Sequence, residues 1–393
     1  MNATPEPATT ESAYPVVLQV LPALDGGGVE RGTVEITQAI TRAGGSALVA
    51  SAGGRLVHAV ERGGGRHFTL PLDSKSPWRI WRNAAALTRL ILAQRVDIVH
   101  ARSRAPAWSA WLAARRTGVH FVTTYHAPYG EDFPLKRRYN AVMAQGEIVI
   151  AISHFIARLI AARHGVPAGR IRVIPRGVDP ALFDPGRVAT DRMARLAKAW
   201  RVEDGHPTIV LPGRLTRWKG QGVLIEALAR MTNRAACLVL VGSDQGRARF
   251  SAELAALAAR LGVAARVRMV GHCDDMPAAF MLSDVVVNPS IAPEGFGRVV
   301  IEAQAMGRIT IGTDHGGAAE TIEDGVTGLL VPPGDPAALA GALDAALAMT
   351  PAQRAAMGEA ARAAVQARYT TAALQEATIA VYRDVLGNLA APG

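Results

Sequence analysis

Strand-sized apolar runs alternate with helical stretches along nearly the whole chain, and this alternation limits the fold more than any other feature. Val16–Val20, Ala47–Ser51, His67–Leu72, Asp97–Ala101, His120–Tyr125, Glu147–Ile152 and Arg172–Ile174 read as strands in the first half. Thr208–Leu211, Cys237–Val241, Val267–Val270, Val285–Val287, Ile309–Ile311 and Leu329–Val331 repeat the scheme in the second. Helical patterns fall between most of them, notably Val29–Arg42, Trp78–Gln94 and Ala107–Arg116, and Thr370–Leu386 reads as a last helix. Repeated βα units predict parallel, doubly wound sheets. With 393 residues the chain is too long for one small core, so two such domains are expected. The segment Pro175–Pro185 reads as the crossing between them.

Bulk properties exclude several classes. No apolar run reaches the roughly 18 residues of a membrane span. Met1–Tyr14 is rich in Ala, Thr, Pro and Glu and reads as a disordered tail rather than a signal peptide. Cys237 and Cys273 are too few for a disulfide framework or a metal cluster, which suggests a reducing cytoplasm. The net charge of +10 is unevenly placed: residues 1–190 hold 23 Lys+Arg against 13 Asp+Glu, and the rest hold 20 of each. Such a basic half suits an acidic partner, whether anionic lipid, phosphorylated glycan or nucleic acid.

The second half carries the most informative stretch, Pro293-Glu294-Gly295-Phe296-Gly297-Arg298-Val299-Val300-Ile301-Glu302. Glu294 sits in a loop after a strand, where open α/β sheets bind ligands. Glu302 falls about five residues into the following helix, roughly 7 Å up its axis. Between them lies a helix N-terminus, whose free N–H groups suit a phosphate. Spacing alone serves a loop acid and an ordinary helix glutamate equally well.

Upstream, Gly213-Arg214-Leu215-Thr216-Arg217-Trp218-Lys219-Gly220 offers a guanidinium and an ammonium after the first strand of that half. Together they can neutralise a diphosphate, although a solvated basic loop reads the same way. In the first half, Asp25-Gly26-Gly27-Gly28 opens a helix and imitates a dinucleotide fingerprint. The following strand leads into Ser51-Ala52-Gly53-Gly54-Arg55, without the acid that would hold a NAD ribose, and no Tyr-x-x-x-Lys pair occurs. His126, Arg102 and Arg104 also follow strands. Trp78, Trp81, Arg79 and Arg82, with Trp108, Trp111, Arg115 and Arg116, set aromatics beside arginines on neighbouring turns. That pattern serves core packing or an anionic membrane surface.

The Glu-(seven residues)-Glu stretch with Gly-Phe-Gly, the Gly-Arg-Leu…Lys-Gly stretch and Gly27–Glu30 together resemble retaining glycosyltransferases of family 4, and the resemblance covers nearly the whole chain after Tyr14. It implies the GT-B fold, two Rossmann-like domains facing across a cleft. The expected limits are an acceptor-side domain over 15–185, a nucleotide-sugar domain over 186–369, and a helix over 370–393 that crosses back to the first.

The resemblance also implies roles. Glu294 and His126 hold the donor sugar, with Ala127 where the family often has Gly. Arg214 and Lys219 hold the leaving diphosphate, and Glu302 the ribose. Gly27, Gly28, Gly295, Phe296 and Gly297 shape the donor site. A softer likeness to lipopolysaccharide-core transferases places Arg102 and Arg104 on the acceptor side. The chain lacks Asp-x-Asp, so no metal and no cofactor is expected beyond the co-substrate, a nucleoside-diphosphate sugar. A UDP-sugar is favoured, with GDP-mannose as second choice. The expected acceptor is a glycan or lipid-linked molecule at the inner face of the cytoplasmic membrane, and no nucleic-acid partner is expected. A GT-B nucleotide-sugar epimerase and a non-catalytic basic module are the alternatives.

Overall fold

The computed structural model describes residues 15–387, so the tail expected over residues 1–14 lies outside the described residues. The chain forms two compact units. One runs through Ala151, takes in Ile160–Arg172 and resumes at Gln375, and the other holds Ile152–Leu159 and Val173–Leu374.

The first unit is built on seven strands: β1 (Val16–Val20), β2 (Ser46–Ser51), β3 (Arg66–Thr69), β4 (Ile98–Ala101), β5 (His120–Tyr125), β6 (Ile148–Ala151) and β7 (Ile171–Val173). Their order is β3-β2-β1-β4-β5-β6-β7, with β1 running parallel to both β2 and β4. Val17, Leu18 and Val20 are all buried whichever way they point, as in a sheet covered on both faces. Right-handed crossovers put the helices Gly28–Arg42 and Val57–Arg62 on one face of this sheet. The helices Pro77–Gln94, Arg104–Thr117 and Pro134–Asn140 fall on the other. The last helix, Thr371–Gly387, brings Tyr382 into this unit, its hydroxyl 2.7 Å from His100 Nδ1.

The second unit carries β8 (Thr208–Pro212), β9 (Cys237–Val241), β10 (Val267–Gly271), β11 (Val285–Asn288), β12 (Ile309–Thr313) and β13 (Leu329–Val331). Their order is β10-β9-β8-β11-β12-β13, and the recorded pairs are parallel. One core layer packs Ile209, Leu211, Leu238 and Val285 against Leu224, Leu228 and Leu343. On the opposite face Cys237 packs with Val210, Val239 and Trp200, as a core residue.

All thirteen expected strands form, in two doubly wound parallel sheets. Two boundaries differ by three residues, and the others by two at most. β3 stops at Thr69 rather than Leu72, where Pro71 has no N–H for the ladder. The helix expected from Ala107 begins at Arg104, because Pro106 falls in its first turn, where the missing N–H costs nothing. Among the described residues no helix is long and apolar enough to cross a membrane.

Candidate active site

In the second unit the strand order reverses direction between β8 and β11, which pair with Val285 beside Ile209. The chain leaves β8 towards β9 and leaves β11 towards β12, so the two connecting loops diverge above the carboxyl ends. That is where an open α/β sheet binds its ligand. One loop carries Arg214 and Lys219 and the other carries Glu294. Ile291 N–H donates to the Trp218 carbonyl at 2.8 Å, joining them. Gly220 turns at φ 75°, and a Cβ there would sit 1.9 Å from the Pro289 carbonyl oxygen. Only glycine lets the loops approach this closely.

Within this crevice Lys219 and Glu294 are bonded to each other, through Nζ and Oε1. Ser290 Oγ donates to the same carboxylate oxygen at 2.7 Å, and Asn288 Nδ2 to the other at 3.3 Å. Glu294 is 7% exposed. Burial by itself pushes its carboxyl pKa up; the Lys219 ammonium and the bonds from Lys219, Ser290 and Asn288 outweigh burial and hold it below the ordinary value. The acid is therefore kept charged, aimed and ready to meet hydroxyls or a developing positive charge. Arg214 is exposed at the same loop, and its carbonyl accepts from Gln221 Nε2 at 3.0 Å.

The Glu294 loop is braced from behind. Gly317 N–H donates to the Glu294 carbonyl at 2.8 Å, and Ser153 Oγ to the Gly295 carbonyl at 2.7 Å. Phe296 is buried, its ring 5.7 Å from that of Tyr369. Gly297, at φ 81°, is the N-cap of the helix Arg298–Ala305, and no side chain caps that end. Its first N–H groups are thus available to an anion. Glu302, on the same helix and 5% exposed, accepts from Arg298 Nε at 3.0 Å.

The remaining expected residues lie in the first unit. His126 follows β5 directly and is half-buried. Gly27 precedes the helix Gly28–Arg42, whose N-terminus also has no side-chain cap. Arg102 and Arg104 do not form an exposed pair. Arg102 is 2% exposed, with Nη1 donating to Gln19 Oε1 at 2.9 Å. Arg104 binds Asn140 Oδ1 at 2.9 Å and lies over the Tyr129 ring at 4.1 Å. Sequence reading missed the partners: Ser290 and Asn288 on Glu294, Ser153 behind Gly295, and Arg298 on Glu302. Only the last had a local signal, since residues four apart meet on a helix.

A crevice holding a part-buried lysine bonded to a buried glutamate, an exposed arginine and an uncapped helix start suits a substrate that carries both phosphates and hydroxyls. Sequence families agree with that reading. Residues 26–182 match the Glycosyltransferase Family 4 model and residues 206–349 the model for glycosyl transferases group 1. The D-inositol 3-phosphate glycosyltransferase of Xylanimonas cellulosilytica is 33% identical over 291 residues, 68% of this chain and 67% of that protein. Among solved structures, a glycosyltransferase from Rickettsia africae aligns with TM-score 0.88 and 34% identity, covering 95% of this chain and 99% of its own. HepE of Anabaena, solved with UDP and glucose, shares the fold at TM-score 0.83 and 24% identity, with 94% and 99% covered. The chain belongs to the family 4 glycosyltransferases, enzymes of the GT-B fold.

Proposed function

We propose that this glycosyltransferase moves a sugar, with retention at the anomeric carbon, from a UDP-sugar to an anionic acceptor at a membrane face. The observation that carries the reading is the Lys219–Glu294 pair at the switch point of the second sheet, with Arg214 on the same loop as Lys219. Arg214 and Lys219 take up charge on the diphosphate as the sugar–phosphate bond breaks. Glu294, Gly295–Gly297 and His126 orient the sugar, and Glu302 binds the ribose. Gly27 and Gly28 let the phosphates or the acceptor approach the backbone. The acceptor attacks from the face the diphosphate leaves, with a phosphate oxygen as base, so no covalent protein intermediate forms.

HepE has been solved with UDP-glucose, which favours uracil over guanine as the base. The curated relatives are named for an inositol phosphate acceptor, whereas the sequence resemblance pointed to a lipopolysaccharide core or lipid-linked glycan. Phosphate is the chemistry these acceptors share, and the basic first half of the chain suits it.

A panel of UDP- and GDP-sugars, offered with phosphorylated and lipid-linked acceptors, tests the proposal through diphosphate release and the anomeric configuration of the product. Release of an epimerised sugar nucleotide without acceptor would identify an epimerase. Absence of both turnover and donor binding would leave a non-catalytic module.

The diphosphate site yields a prediction of its own. In this reading Arg214 and Lys219 do the work of a divalent cation, so turnover should persist in excess EDTA. Complete loss, restored by magnesium or manganese, would overturn these roles.

A further inference from the structure

The helix Pro77–Gln94 has two apolar faces. One is the core face, with Asn83, Ala84, Leu87 and Ile91 buried. The other points to solvent: Trp78 is 63% exposed, Trp81 53% and Leu92 64%. At about 100° per residue, Trp78, Trp81, Ala85, Thr88 and Leu92 fall within an arc of roughly 80°, on the side away from the core residues. Arg82 and Arg89 border that arc, and both are exposed. The rings of Trp78 and Trp81 stack on each other at 5.7 Å, so two large aromatics stand together in water.

The stripe belongs to a wider surface. Ser109 Oγ on the helix Arg104–Thr117 donates to the Ile80 carbonyl at 3.0 Å, and Trp108 Nε1 to the Tyr139 carbonyl at 3.0 Å. The three helices Pro77–Gln94, Arg104–Thr117 and Pro134–Asn140 therefore lie side by side on one face of the first sheet. They carry nine Lys and Arg and no Asp or Glu. Asp132 neutralises Lys136, but among the described residues no acid pairs with Arg79, Arg82, Arg89, Arg115 or Arg116. Phe133 and Leu135, 53% and 73% exposed, add apolar side chains at the start of the third helix.

We infer that this three-helix face is a docking surface for an anionic phospholipid bilayer, with Trp78 and Trp81 seated at the headgroup level. A basic amphipathic surface with exposed tryptophans gains from apolar burial and from the negative potential of the leaflet at once. A second copy would bring its own Arg79, Arg82, Arg89, Arg115 and Arg116 against the same arginines of the first, which disfavours self-association through this face. The inference deepens the membrane part of the proposed function. It is tested without donor or acceptor, so its failure and a failure of the transferase reading are separable.

The experiment is flotation of the full chain with vesicles of phosphatidylcholine, alone or with a quarter phosphatidylglycerol. The chain should float with the anionic vesicles, stay behind with the neutral ones, and be released as salt screens the surface. Arg79→Ala with Arg82→Ala should weaken binding about 30-fold, the effect of two basic residues near an anionic surface. Brominated lipids should quench the tryptophan fluorescence, and Trp78→Ser with Trp81→Ser should remove that quenching. These side chains are exposed, so melting curves should match wild type and keep the variants interpretable. Equal flotation with both vesicle types, or quenching that survives the double Trp variant, would overturn the inference. Binding to a duplex or single-stranded oligonucleotide without vesicle binding would overturn it in favour of a nucleic-acid surface.

Discussion

Glu294→Gln is expected to lower kcat about 10²-fold with little change in donor affinity, the size of effect seen when one preorganised electrostatic group is lost. In the proposed mechanism the carboxylate acts on the sugar as it flattens and gains positive charge, so its contribution grows toward the transition state. The amide keeps the shape but not the charge. Its oxygen can still accept from Lys219 and Ser290, while its NH2 then faces the Asn288 amide that now donates to Oε2. Glu302→Gln should behave differently. Its proposed partner, the ribose, does not react, so their hydrogen bonds are similar in ground and transition states, and their loss raises KM more than it lowers kcat. A loss of about 1–3 kcal/mol in donor binding is expected, typical of a hydrogen bond to a charged group. Donor titration and single-turnover rates on both variants separate the roles. Near-normal rates and affinities in both would reduce the pair to structural residues.

The strands were legible because each is a short apolar run bounded by turn residues, and both faces of a parallel sheet are buried. β5 and β9 even end on the residues the pattern implies. The chemistry-bearing loops were legible for a related reason: each follows a strand, and strand order decides which of those ends meet. What sequence could not supply was who holds whom. Lys219 and Glu294 are 75 residues apart and were assigned separate duties, diphosphate and sugar, yet they hold each other across the β8/β11 crevice. Ser153 reaches Gly295 over 142 residues, a pairing that no local pattern announces. Arg102 was placed on the acceptor side through a resemblance, not through anything in its own surroundings. It turns inward because Gln19 on β1 offers a buried acceptor, a contact set by the pairing of β1 with β4.

The Lys219–Glu294 contact makes Lys219→Ala the substitution with the largest expected cost to stability. Removing the ammonium strands a buried carboxylate, and breaking a buried pair from one side typically costs about 3–5 kcal/mol. The same change removes positive charge from the proposed diphosphate site, so turnover should fall as well, by about 10²–10³-fold. Two measurements distinguish a buried ion pair from a general packing defect. The first is Lys219→Ala combined with Glu294→Gln, which leaves no charge behind and should recover most of the lost stability; the double-mutant cycle of these two substitutions then reports strong coupling. The second is pH. In wild type the Glu294 carboxyl sits below its unfolded value of about 4.3. Its contribution is therefore present above that pH and lost as pH falls through the folded pKa. Without Lys219, burial loses its largest opponent and drives the carboxyl up. The variant then carries a penalty at neutral pH that fades as the stranded acid takes up a proton. The gap in melting temperature between wild type and Lys219→Ala should thus be widest near neutral pH and narrow toward about pH 4. A gap that stays constant over this range, with no rescue in the double variant, would mean that the two side chains are neighbours without being partners.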